Sequence, residues 1–241
     1  MCRSGGWQDT GRDLGADLRR LGIAVRPAQP GDAVPAGVSF WDAETDADLA
    51  RIVASARHRN GMLWCGTGGL AGALAGGGRM PPPLLHRPLL GLFGSDHDVT
   101  LRQLEACGLH WLAVPAGSAG AAGAVHARLQ TAGLALVSFA LAEKLSRTEA
   151  AERIGAEMGA LVRSMPPPRT LLAAGGETLR MLCRILRARS LEVMGQMLPG
   201  VPVSWLRGGA WDGVTVVSKS GAFGDAGLLR RLAGLDGEAA G

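Results

Sequence analysis

Thr170-Leu171-Leu172-Ala173-Ala174-Gly175-Gly176-Glu177-Thr178, leading into the run Leu179 to Leu186, is the stretch that decides the fold. The apolar run Leu171 to Ala174 makes this a strand candidate, and the run that follows has helical length. The two glycines between them form a turn of bare backbone. Strands, loops and helices continue to alternate on either side. Upstream, Pro88-Leu89-Leu90-Gly91-Leu92-Phe93 is a buried-strand candidate, Val99 to Cys107 a helix, Trp111-Leu112-Ala113-Val114 a strand, Ala121 to Ala132 a helix and Leu134 to Phe139 a strand. Ser146-Arg147-Thr148-Glu149 has capping-box spacing, so a long helix starts there and ends before Pro166-Pro167-Pro168. Downstream, Val214-Thr215-Val216-Val217-Ser218 is a further strand. Parallel neighbours need crossover connections, usually helical, so the alternation predicts an α/β domain with a mainly parallel sheet flanked by helices.

A partial α/β domain precedes it. Leu14, Leu18 and Leu21 at helical spacing, stopped by Gly22, predict a first helix; Val38-Ser39-Phe40-Trp41 predicts a strand, and Leu49, Ile52 and Val53 the apolar face of the next helix. Met62-Leu63-Trp64-Cys65 reads as a second strand running into Gly66-Thr67-Gly68-Gly69, with a helix over Leu70 to Ala75. Gly76-Gly77-Gly78 and Pro81-Pro82-Pro83 have linker composition, so residues 1–80 and 88–236 are expected to be separate domains.

Composition narrows the functional classes. A hydrophobic fraction of 47% with 19% charged residues fits a folded globular chain. The formal charge of +4 comes from scattered arginines and only two lysines, Lys144 and Lys219, which speaks against nucleic acid as a partner. Cys2, Cys65, Cys107 and Cys183 match no metal or redox spacing and read as reduced core thiols. No apolar run is long enough for a membrane span, and Met1 to Gly6 lacks a signal-peptide apolar region, so the expected compartment is the cytoplasm. Asp42, Glu44, Asp46 and Asp48 are explained by capping and solvation of a helix start, and Asp96-His97-Asp98 are neighbours in one loop. No metal ligands are assigned. No nucleophile set assembles from five scattered histidines, and the catalytic residue is unassigned.

In open α/β sheets ligands gather beyond the carboxyl ends of strands, so the loops there are the candidate sites. The first is Gly94-Ser95-Asp96-His97-Asp98-Val99-Thr100, where glycine permits close approach, Ser95 offers a hydroxyl and the helix start offers free N–H groups; taken alone, an ordinary loop with Asp98 as cap explains it better. The second is Gly175-Gly176-Glu177-Thr178, with an acceptor at Glu177 for ribose, a cation or the loop's own N–H groups and a hydroxyl at Thr178; a plain helix entry is the alternative. The third is Lys219-Ser220-Gly221-Ala222-Phe223-Gly224-Asp225, where an ammonium stands beside two glycines; its alternative is a solvated lysine before a turn, with Asp225 capping a short helix. A Walker A sequence is absent, and no G-x-G-x-x-G follows a first strand, which disfavours a dinucleotide oxidoreductase.

In this order and spacing, the three loops, with Thr100, Gln103 and Pro199-Gly200-Val201-Pro202, resemble the C-terminal nucleotide-binding domain of the four-carbon acid sugar kinase family over roughly residues 88 to 235. Trp41-Asp42-Ala43-Glu44-Thr45-Asp46-Ala47-Asp48-Leu49 and Gly66-Thr67-Gly68-Gly69-Leu70-Ala71 resemble the closing segments of its sugar-binding N-terminal domain. The resemblance implies transfer of the ATP γ-phosphoryl group to threonate, erythronate or an oxo-tetronate, normally with Mg2+. It implies that Ser95, Gly175, Gly176, Glu177, Thr178 and Gly221 hold the nucleotide, with Lys219 assisting the phosphates. His97 and Asp98 stand where relatives commonly have serine and proline, and Ala222 replaces a frequent glycine or small polar residue. The family's opening Asp-Asp-x-Thr-Gly motif has no counterpart between Met1 and Pro35, so residues 1–80 read as a sugar-domain remnant. The alternative expectation is a truncated, non-catalytic nucleotide-binding protein.

Overall fold

The structure, a computed structural model, describes residues 2–3, 6–7, 12–57, 59–76, 82–94, 97–115, 117, 121–141 and 145–236. The chain divides into two compact units, Met1–Arg79 and Met80–Gly241.

The first unit opens with three short antiparallel strands, β1 (Cys2–Arg3), β2 (Gly6–Trp7) and β3 (Arg12–Asp13). Asp13 then caps helix α1 (Leu14–Arg20), accepting a hydrogen bond from Ala16 N at 2.9 Å. Strand β4 (Val25–Ala28) pairs in parallel with β5 (Val38–Trp41), and helices α2 (Asp46–Ala56) and α3 (Gly68–Leu74) follow. Thr45 and Asp48 form a reciprocal capping box at the start of α2, which accounts for part of the acidic run. Two expectations change here. Arg26 and Pro27 hide β4 from a hydrophobicity reading, and Met62–Cys65 is irregular instead of a strand. Leu63 is 93% exposed, so alternation in that segment has no buried face to fill.

The second unit has the expected α/β architecture. Its elements are β6 (Leu89–Phe93), α4 (Asp98–Glu105), β7 (Trp111–Pro115), α5 (Ala121–Ala132), β8 (Leu134–Ala140), α6 (Arg147–Arg163), β9 (Thr170–Ala174), α7 (Gly176–Leu186), β10 (Ser190–Leu198), β11 (Val201–Arg207), β12 (Thr215–Lys219) and α8 (Leu228–Leu232). They build one seven-stranded sheet in the order β10-β11-β12-β9-β6-β8-β7, parallel from β12 to β7, with the β10–β11 hairpin antiparallel at one edge. All five residues of β6 and of β9 are buried, because successive side chains enter cores on opposite faces. Leu90, Leu92, Leu171 and Ala173 pack with Val125 of α5, Met158 of α6 and Leu182 of α7. Leu89, Phe93, Leu172 and Ala174 pack with Leu104 of α4 and with Leu228, Leu229 and Leu232 of α8.

The hairpin is a second departure. Its turn contains Pro199 and Gly200, the latter at φ +89°. Register shifts between Val193 and Gly195 and between Gln196 and Leu198 break the strand period that would have marked β10. Among the thiols described, Cys107 is a buried core residue whose pKa is pushed up to about 11 by desolvation, whereas Cys65 is exposed, contrary to a uniform core assignment.

Candidate functional site

The sheet order creates a ligand position between β6 and β9. After β6 the chain passes to α4 on one face, and after the neighbouring β9 it passes to α7 on the other. Adjacent parallel strands that send their chains to opposite faces leave a crevice between the two connections, which is where open α/β sheets bind ligands. Register brings the third loop alongside. Ala174 pairs with Phe93 on one side and with Lys219 on the other, so Gly94, Gly175 and Ser220 begin neighbouring loops. Gly175 N donates to Lys219 O at 2.9 Å, joining the second loop to the third.

In the first loop a Cβ at Gly94 would meet Ile154, Met158 and Thr178 Oγ1 at 3.1–3.2 Å, so glycine allows the loop to close against the start of α7. Ser95 lies outside the described residues. The cap of α4 is His97, whose Nδ1 accepts from Val99 N at 3.2 Å, in place of the expected Asp98. Thr100 and Gln103 of α4 are fully buried. Their polar atoms reach across to the third loop: Thr100 Oγ1 donates to Gly221 O at 2.8 Å, and Gln103 Nε2 donates to Phe223 O at 3.0 Å and Asp225 O at 2.8 Å.

In the second loop Gly175 adopts φ +92°, a conformation that favours glycine, and leaves the α7 start without a side-chain cap. Gly176 is exposed, with nothing within 4 Å of an added Cβ. Glu177 points to solvent and pairs with Arg180 at 2.6 Å, while Thr178 is buried beneath the turn.

The third loop corrects the reading of Lys219 as solvated. The residue is only 4% exposed, and Nζ donates to the carbonyls of Ser220 at 2.9 Å, Gly221 at 3.3 Å and Phe223 at 3.3 Å, with Thr100 Oγ1 at 3.4 Å. Desolvation lowers its pKa to about 8. The folded value lies below the unfolded one of about 10.4, so below pH 8 the fold carries the full cost of the buried charge. As pH rises from about 8 to 10.4 the unfolded state holds more protons and stability increases. Urea midpoints at pH 7 and pH 9.5, compared with those of Lys219→Met, are expected to show this rise in the unmodified protein alone. An equal rise in the variant would contradict it. Further along, Asp225 accepts from Gly227 N at 2.8 Å and pairs with Arg231 at 2.7 Å, which holds its carboxyl below the usual range; Gly227, not Asp225, is the cap of α8. Gly224 at φ +92° has Leu228 Cδ2 2.3 Å from where a Cβ would sit.

These loops offer an anion the bare backbone of Gly175 and Gly176 at the uncapped start of α7, with the buried Lys219 ammonium in the neighbouring loop. Among the described residues no group of three or more His, Cys, Asp or Glu side chains is placed to hold a metal ion. A separate cavity of about 290 Å³, lined by Val114, Phe139, Glu157 and Leu161 among others, does not include the three loops. Its carboxylate, Glu157, already accepts from Gly117 N at 2.7 Å. No described helix is long and apolar enough to cross a membrane.

Comparison with known proteins adds independent findings. Residues 116–229 match the family described as the nucleotide-binding C-terminal domain. A D-threonate kinase of Cupriavidus necator is 32% identical over 213 residues, covering 78% of this chain and 51% of its own length. The chain therefore spans about half the length of that curated relative. Among solved structures, a Salmonella typhimurium LT2 protein provisionally described as a tRNA synthase is 21% identical with a TM-score of 0.60, over 81% of this chain and 52% of that one. A Haemophilus influenzae protein is 18% identical with a TM-score of 0.57, over 91% of this chain and 55% of that one. Both likenesses concern the fold.

Proposed function

Because the chain belongs to the four-carbon acid sugar kinase family, we propose that it binds ATP across the ends of β6, β9 and β12 and serves phosphorylation of a four-carbon sugar acid in the cytoplasm. The observation that carries this reading is the convergence of three glycine-bearing loops at the carboxyl ends of the neighbouring parallel strands β6, β9 and β12. Ser95, the Gly175–Thr178 turn and Gly221 would hold the nucleotide, and the positive ends of α4 and α7 favour its phosphates. Mg2+, carried on those phosphates, would neutralise charge developing at the γ-phosphoryl group. In the reaction the bond between the γ-phosphorus and the β,γ-bridging oxygen breaks, the substrate hydroxyl oxygen bonds to that phosphorus, ADP leaves and the hydroxyl proton is released. Such catalysis rests mainly on positioning and charge neutralisation, which matches a site built of backbone and one buried ammonium.

The test is ADP release by the purified chain with ATP, Mg2+ and a panel of threonate, erythronate and oxo-tetronates. Turnover above that of a Lys219→Ala, Gly176→Asp control is expected. Saturable ATP binding without turnover would leave a nucleotide-binding protein without the kinase reaction, and no binding at millimolar ATP would overturn both.

A further inference from the structure

The surroundings of Lys219 are those of a monovalent cation. Three carbonyl oxygens and one hydroxyl oxygen lie within 3.4 Å of Nζ, and no carboxylate is among its partners in the described residues. A buried ammonium without a counter-ion is costly unless its protons are satisfied, and here neutral oxygens satisfy them. The same carbonyls are also held from α4, since Gly221 O accepts from Thr100 and Phe223 O from Gln103. Gln103 Oε1 is buried with no partner among the described residues, and its amide nitrogen donates the two bonds that tie this side chain to the third loop.

The consequence lies on the other side of the loop. In a trans peptide the N–H points away from the carbonyl, so carbonyls of Ser220, Gly221 and Phe223 turned inward direct the N–H groups of Gly221, Ala222 and Gly224 outward. None of these three N–H groups has an acceptor among the described residues. We propose that Lys219 is a tethered cation that shapes the third loop, a positioning residue that turns the Gly221, Ala222 and Gly224 N–H groups toward a bound phosphate without touching the phosphate itself. This rests on the nucleotide reading of the crevice and deepens it. It assigns the affinity for the anion to the backbone, and the shape of that backbone to the ammonium together with Thr100 and Gln103.

The experiment separates loop shape from phosphate contact by chemical rescue. Lys219→Ala removes three carbons and the ammonium, a void that propylammonium matches in length and charge; Lys219→Met fills the same space without charge. Amide NMR spectra of the nucleotide-free protein are expected to show displaced Gly221, Ala222 and Gly224 signals in both variants. Propylammonium should return them in Lys219→Ala and leave Lys219→Met unchanged. ATP affinity, measured by calorimetry, should fall about tenfold or more in both variants and recover with propylammonium only in Lys219→Ala. Thr100→Val, which keeps the ammonium and removes one anchor of Gly221 O, is expected to displace the Ala222 amide and covers the case in which the lysine variants do not fold. Undisturbed loop amides in nucleotide-free Lys219→Met alongside weakened ATP binding would overturn the proposal in favour of direct phosphate contact. Undisturbed amides in Thr100→Val would overturn it as well. If the unmodified protein binds no ATP, the functional reading fails, while the nucleotide-free spectra still decide the role of Lys219.

Discussion

Gly176→Asp is expected to leave the fold standing and to weaken ATP binding roughly a hundredfold. The position is exposed, has no neighbour within 4 Å of a new Cβ and adopts helical backbone at the first residue of α7. A carboxylate there would stabilise the helix start by about 0.3–1 kcal/mol through the helix dipole. Its effect on a bound phosphate is opposite in sign and larger: at an effective dielectric of about 20, two like charges about 6 Å apart repel by about 3 kcal/mol. Since about 1.4 kcal/mol is a tenfold change in affinity, roughly two orders of magnitude follow. Thermal melting and calorimetric titration on the same sample check both halves. A lowered Tm would show that Gly176 is structural, and unchanged affinity would place the phosphates elsewhere.

Leu172→Ala is expected to cost about 2–5 kcal/mol of stability, a large part of the roughly 5–15 kcal/mol that holds a domain folded. Leu172 is 1% exposed in β9, between Gly91 of β6 and Val217 of β12, and packs in the core that includes Phe93, Leu104 and Leu229. The void would lie below the crevice in the middle of the sheet, where rigid strands on both sides limit collapse. A urea titration should show a lower midpoint with the slope unchanged. A loss below 1 kcal/mol would mean that β9 is not the central strand described here.

The second unit was legible in the sequence wherever burial was two-sided. Leu89–Phe93 and Thr170–Ala174 announce themselves as short apolar runs ended by glycine, and Ser146 with Glu149 fixes the start of α6. Elements with one exposed face and irregular register were not legible: β10 carries two register shifts, and β4 contains a proline. For the candidate site, sequence supplied the loops but not their adjacency, because strand order decides which loops meet and no local pattern encodes that Ala174 lies between Phe93 and Lys219. The direction of the Lys219 side chain was equally hidden, since a lysine beside glycines reads the same whether it is solvated or folded back onto its own carbonyls. Thr100 and Gln103, quoted only as neighbours of the first loop, prove to be the side chains that bind it to the third. The helical spacing of Thr100 and Gln103 with the apolar Leu104 and Cys107, which places all four on one face of the helix expected over Val99 to Cys107, was the available signal.

The central claim, that one crevice formed by three loops takes the nucleotide, is tested most directly by amide hydrogen exchange of the chain with and without ATP and Mg2+. Slowed exchange confined to residues 94–100, 175–179 and 219–225 is the predicted result. Protection centred on the cavity lined by Val114, Phe139, Glu157 and Leu161, or no change at millimolar ATP, would contradict it.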